Sequence, residues 1–103
     1  MKLVESVRQH LPWFLRRGHH CEHLLAATEP PGTPGNSCEE CVRLGDTWYH
    51  LRQCLTCGAV RCCDQSKNKH ATAHFHASGH PVVRSAQPGE FWQWCYVDEL
   101  MAR

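Results

Sequence analysis

Between Cys38 and His80 the chain places Cys38-x2-Cys41, Cys54-x2-Cys57, Cys62, His70, His74 and His80, eight metal-ligand residues in less than half of its 103 residues. A two-residue gap lets one tight turn present two thiolates to one ion, and structural zinc takes four such ligands in a closed tetrahedron. Eight ligands therefore predict two zinc sites. Taken alone, Cys54, Cys57, His70 and His74 have the C-x2-C-x12-H-x3-H spacing of a DNA-reading finger. Such a finger needs a large apolar residue between its second cysteine and first histidine, where this chain has Arg61 and Lys67. The grouping would also leave Cys38, Cys41, Cys62 and His80 without an ion. A cross-braced division uses every ligand, with Cys38, Cys41, Cys62 and His70 on one zinc and Cys54, Cys57, His74 and His80 on the other. Upstream, Cys21-Glu22-His23 offers half of a further site.

These ligands must be positioned by a chain with little ordinary core. Nine Leu, seven Val and three Phe make 19 of 103 residues, and there is no isoleucine. That falls below the roughly 20% at which chains of high charge become disordered. The net charge is only +1, so self-repulsion is not the reason. Metal staples supply the missing stability, since a structural zinc contributes on the order of 10 kcal/mol to folding. One domain is expected.

Composition also excludes function classes. Eleven Lys and Arg against ten Asp and Glu leave little basic footprint for nucleic acid, so no nucleic-acid partner is expected and a nucleic-acid-binding finger is an alternative reading only. No stretch is long and apolar enough to span a membrane. Met1 to Arg17 is interrupted by Glu5, Arg8, His10, Pro12 and Arg16-Arg17, which is no secretory signal. The expected location is cytoplasmic, where thiols stay reduced and act as metal ligands.

Along the chain, Leu3, Val7 and Leu11 predict an amphipathic helix over 2–10 that Pro12 ends, followed by an apolar plug of Trp13, Phe14 and Leu15. Residues 1–18 are expected to pack on a finger formed by 19–103. Residues 28–37, with three prolines and two glycines, read as a loop. Strands are predicted over 47–53 and 58–62 with the Cys54–Cys57 knuckle between them, and over 81–85 and 91–97 around a Gln87-Pro88-Gly89 turn. A helix over 69–77 is predicted with Ser66 or Asn68 as its cap and Gly79 as its end. The fold class is α+β: a short antiparallel sheet with one or two helices and cross-braced zinc sites. Trp48, Phe91, Trp92, Trp94 and Tyr96 are expected mostly to fill the core between knuckles. Cys63 reads as a spare thiol and His76 as an exposed helix residue.

Cys21-Glu22-His23-Leu24, Cys38-x2-Cys41, Cys54-Leu55-Thr56-Cys57-Gly58, Cys62, His70-x3-His74-x5-His80-Pro81 and Trp94-Cys95-Tyr96 together resemble the ubiquitin-specific-protease-type (UBP-type) zinc finger, over about residues 21–98. In three-zinc members the early C-x-H pair is completed by a late C-x-x-C, where this chain has Cys95-Tyr96-Val97-Asp98. A carboxylate can ligate zinc, so the resemblance implies a third site of Cys21, His23, Cys95 and Asp98; the alternative leaves that site empty or completed by another group. Two zinc ions are expected, or three with this site.

The family can accept the free C-terminal Gly-Gly tail of ubiquitin in an aromatic pocket with an arginine on the tail. By resemblance Trp94 and Tyr96 are pocket residues, whereas Asp64 stands at the arginine's position. A carboxylate facing the tail's carboxylate repels it. The expected function is a stand-alone zinc-binding adaptor for a peptide or protein tail, with ubiquitin itself disfavoured by Asp64. Catalysis is not expected, and a zinc-dependent hydrolase is the alternative reading. His70-Ala71-Thr72-Ala73-His74 has the histidine spacing of a zinc hydrolase helix but lacks its glutamate.

Overall fold

The computed structural model describes residues 21–103. The helix over 2–10, the plug at 13–15 and the packing of 1–18 on the finger lie outside the described residues.

Among the described residues, three helices and five strands follow in the order α1 (Glu22–Ala26), α2 (Glu39–Leu44), β1 (Leu51–Cys54), β2 (Val60–Cys62), α3 (His70–Ser78), β3 (Val82–Ser85), β4 (Gln93–Cys95) and β5 (Leu100–Ala102). The strands form one sheet in the order β2-β1-β3-β4-β5, and every pairing is antiparallel. The predicted α+β class holds. The predicted strands are found shorter, β3 by one residue, β2 by two and β4 by four, while β1 starts four residues later and runs one residue further than expected, and β5 was not foreseen. It is a three-residue edge strand entered through Glu99, a non-glycine residue at φ 53, so no turn glycine announces it.

Sulfur starts all three helices. Cys21 Sγ accepts from Leu24 N–H at 3.4 Å at the head of α1, and Cys38 Sγ accepts from Cys41 N–H at 3.5 Å at the head of α2. These one-turn helices escaped the sequence reading because thiols are not among the usual capping groups. The expected cap of α3 was wrong. Its N-cap is Lys69 in the left-handed region with no side-chain bond, and the first helical N–H, of His70, reaches Cys62 Sγ at 3.2 Å. Asn68 instead donates to Asp46 at 2.9 Å, and Ser66 Oγ accepts from Tyr49 N–H at 2.9 Å. Gly79 ends α3 at φ 77 as expected.

Strand alternation gives the sheet two unlike faces. One face carries Leu51, Val60, Cys62, Val82 and Cys95, all buried. The cross-strand pairs Cys54↔Val83, Val83↔Trp94 and Trp94↔Met101 put Arg52, Val83, Trp94 and Met101 on the other. The core is built on cysteine: Cys38, Cys41 and Cys62 pack with Leu51 and Val60, and Cys21 and Cys95 pack with Leu55 and Val82. The fully buried Gln53 joins the two halves. Its Nε2 donates to Gly58 O at 3.3 Å and its Oε1 accepts from Arg84 Nε at 3.0 Å.

The expectation that the aromatics fill the core is corrected. Only Trp48 packs against a core cluster. Trp92, Trp94 and Tyr96 are half-buried and Phe91 is 85% exposed. Cysteines occupy the space between knuckles, and the period-2 spacing of 92, 94 and 96 carries these rings to the opposite face from Cys95.

Candidate metal centres and an aromatic cleft

Among the described residues, three groups of four donors converge, each with its ligand atoms within 4.8 Å of one another: Cys38, Cys41, Cys62 and His70; Cys54, Cys57, His74 and His80; Cys21, His23, Cys95 and Asp98. These are the groupings read from spacing and, for the last, from resemblance. The Cys54, Cys57, His70, His74 grouping does not form, because α3 turns His70 toward Cys38, Cys41 and Cys62.

The first group is the most regular. His70 Nδ1 lies 3.4, 3.3 and 3.5 Å from the sulfurs of Cys38, Cys41 and Cys62, and Cys41 Sγ lies 3.8 Å from Cys62 Sγ. Zn–S bonds near 2.3 Å and Zn–N bonds near 2.0 Å set tetrahedral edges of roughly 3.8 Å between sulfurs and roughly 3.5 Å between sulfur and nitrogen. The edges match. Thiol hydrogen bonds do not explain them, since one imidazole nitrogen has a single lone pair for three S–H groups. Asn68 Nδ2 approaches Cys41 Sγ at 3.7 Å, and Asp46 in turn accepts from Asn68. Such outer groups orient metal ligands.

The second group sits at the knuckle of the β1–β2 hairpin and is more open. Cys54 Sγ lies 3.5 Å from His80 Nδ1, and Cys57 Sγ 3.4 Å from His74 Nε2. Burial, then Arg61 and His80, lower the pKa of His74, which favours the neutral, ligating imidazole. Gly58 closes the knuckle at φ 82, where a side chain would run into the Pro31 carbonyl oxygen. The proline-rich loop is thereby seated against the metal site.

The third group is tied through a carboxylate. Asp98 Oδ2 lies 3.1 Å from Cys21 Sγ and 3.1 Å from His23 Nδ1, and Cys95 Sγ lies 3.6 Å from His23 Nδ1. Asp98 N–H donates to Cys95 Sγ at 3.4 Å, as Cys41 N–H does to Cys38 Sγ. Asp98 thus stands where the second cysteine of a C-x-x-C knuckle would stand. Protein groups alone push the Cys21 thiol up to about 12, by burial and then by the neighbouring Asp98, and burial likewise pushes Cys41 up to about 12. A bound dication reverses that balance and takes the thiolate. The donor sets fit zinc.

Cys63 is the one cysteine outside these groups. It is buried, with its sulfur 3.5 Å from Ser66 Oγ, and forms no disulfide. His76 is exposed on α3.

Trp94 and Tyr96 meet Asp64 on the other sheet face. A cavity of about 170 Å³ is lined by Arg52, Asp64, Trp92, Trp94, Tyr96 and Met101, among others. Arg52 was not foreseen. Its guanidinium carbon sits 4.4 Å from the centroid of the Trp92 ring and its Nη1 donates to Leu51 O at 3.0 Å. It has no carboxylate within ion-pair distance among the described residues. Only the strand register reveals it, because it brings a β1 residue beside Trp92 and Trp94 far along the chain. Asp64 Oδ1 accepts from Thr72 Oγ1 at 2.6 Å. Burial raises the Tyr96 pKa, with Thr72 lowering it, Asp64 raising it and Arg52 lowering it. A larger groove of about 570 Å³ between Pro34 and Phe91 contains no metal-cluster residue, and its Arg84 is tied to Glu29 at 3.0 Å.

Comparison with known proteins agrees with this architecture. The family described as "Zn-finger in ubiquitin-hydrolases and other protein" matches residues 38–102. Protein RPA1320 of Rhodopseudomonas palustris, known from a solution NMR structure, superposes with a TM-score of 0.71 at 50% sequence identity, covering 82% of this chain and 81% of that one. The NAD-dependent deacetylase sir2A of Dictyostelium discoideum is 36% identical over 60 residues, which are 58% of this chain and 10% of the deacetylase. The chain thus spans about a tenth of that relative's length.

Proposed function

This chain belongs to the zinc-finger family of ubiquitin hydrolases and other proteins, and from that membership we propose that it is a protein-interaction module, folded on zinc, that takes the C-terminal tail of a peptide or protein in the Arg52–Trp94 cleft. Residues 19–103 form the finger, and each of the three donor groups holds one zinc. Zinc here replaces a conventional core and fixes the strands that carry the cleft. With four protein donors per group, no coordination position is left for substrate, which favours binding over catalysis. A reducing cytoplasmic setting suits seven ligand thiolates.

One observation carries the reading: Arg52 stands beside Trp92, Trp94 and Tyr96. A carboxylate entering a concave site needs a cation, and a guanidinium held on an aromatic face presents paired N–H donors to it. Arg52 supplies, from β1, the charge that the Asp64 position lacks. Aromatic walls take the rest of the tail. Ubiquitin is not singled out by these residues, since Asp64 adjoins the cavity. A like charge about 4 Å from the tail carboxylate costs roughly 1 to 4 kcal/mol between bulk water and a protein surface.

The test is a binding titration of the zinc-loaded protein with a fluorescent glycine-ended peptide as free acid and as amide. The free acid should bind at least about tenfold tighter, and Arg52→Ala should remove most of that difference. Equal binding of acid and amide would contradict the tail reading.

A further inference from the structure

The groove of about 570 Å³ between Pro34 and Phe91 is built on the β3–β4 turn, with no residue of α3 or of the metal clusters in its lining. The turn is tied down. Ser85 Oγ donates to Glu90 at 2.6 Å and accepts from Gln87 N–H at 3.1 Å, and Gln87 Oε1 accepts from Leu51 N–H at 3.0 Å. On this ordered support Phe91 is nevertheless 85% exposed. A large apolar ring held in water beside Pro34 and Pro88 is the mark of a docking surface. Two carboxylates border it: Glu90, which has no cation within ion-pair distance among the described residues, and Glu29, whose side chain stays exposed beyond its contact with Arg84.

We infer that the occupant of this groove is the chain's own N-terminal segment, with Trp13, Phe14 and Leu15 against Phe91 and the Arg16-Arg17 pair against Glu90 and Glu29. Three consecutive large apolar residues need cover from water, and the cysteine core offers them little room. Charge points the same way. Lys2, Arg8, Arg16 and Arg17 against Glu5 give residues 1–20 a net charge of +3, and the chain's total of +1 leaves −2 for residues 21–103, so the segment and the finger attract. The tether is long enough. Cys21 and Cys95 have donor atoms within 4.8 Å, and Gln93 in the groove lining is about 7 Å from Cys95 along β4. The six residues from Leu15 to Cys21 reach about 20 Å when extended. Attachment also places the segment at an effective concentration in the millimolar range, ahead of any free competitor of equal affinity. The cavity of about 300 Å³ beside α1, with Leu55, Pro81 and Val82 in its lining, is smaller and has no carboxylate to meet Arg16 and Arg17.

The test is NMR on the isotope-labelled, zinc-loaded full chain, with zinc content checked in every variant. Nuclear Overhauser effects should connect the Phe91 ring to the side chains of residues 13–15. They should persist on dilution and be absent from isotope-filtered spectra of labelled and unlabelled chains mixed together. Phe91→Ala removes an exposed ring and so spares the core, yet it should move the Trp13, Phe14 and Leu15 signals toward their positions in an unfolded peptide. Glu90→Lys should weaken the same Overhauser effects, most strongly at low salt, where charges are least screened. No contact between residues 13–15 and the groove, contacts to another surface of the finger, or contacts seen only between different chains would each overturn the inference. Signals of residues 13–15 that ignore Phe91→Ala would overturn it as well, and Overhauser effects that ignore Glu90→Lys would remove the charge pairing from it.

Discussion

Tyr96 lies flat against Phe75, with ring planes 11° apart and centroids 4.8 Å apart. This contact joins the helix that presents His70 and His74 to the hairpin that forms the cleft. The metal clusters and the aromatic cleft therefore share one mechanical support. Phe75→Ala should cost about 1 to 3 kcal/mol in urea unfolding with zinc in excess, since Phe75 is half-buried. It should also weaken peptide binding without changing the zinc content. Unchanged affinity would mean that Tyr96 does not need α3 to hold its place.

The two central clusters share the β1–β2 hairpin and α3, so they should fold as a unit. Cys41→Ser or His80→Ala should each collapse the NMR dispersion of the whole domain and release more than one zinc. A variant that loses one ion and keeps native-like dispersion around the other cluster would contradict cross-bracing.

The third cluster turns on a carboxylate where a thiolate would complete a C-x-x-C knuckle. Asp98→Cys should retain zinc against a competing chelator at least as well as the unmodified protein. Asp98→Ala should lose one zinc at roughly tenfold lower chelator concentration or less. The measurement is zinc released against chelator, and equal retention in both variants would remove Asp98 from the ligand set.

Metal-ligand spacing carried much of this architecture in the sequence. Cys38-x2-Cys41 and Cys54-x2-Cys57, with the requirement that no ligand be stranded, anticipated which side chains meet at His70 and at His80. Gly79 marked the end of α3 because a left-handed residue is easiest there. The beginnings of the helices were not legible, because sulfur atoms cap them: Cys62 Sγ, eight residues before His70, receives the first N–H of α3. The aromatics were misassigned to the core for a related reason. A cysteine core leaves little room for indoles, and the alternation at Trp92, Trp94 and Tyr96 determines a face without saying which face is buried. Arg52 was missed because its role depends on the pairing of β1 with β3 and of β3 with β4, a long-range register that local pattern does not encode.

The central claim is that zinc, held by seven of the eight cysteines, replaces a conventional core. It is tested most directly by elemental analysis of purified protein combined with a thiol titration before and after chelation. The account predicts three zinc ions per chain and at most one accessible thiol, that of Cys63, in the zinc-loaded protein. Removal of zinc should expose all eight thiols together and abolish native NMR dispersion. Eight thiols reacting at once while zinc is retained, or native dispersion surviving complete removal of the metal, would contradict it.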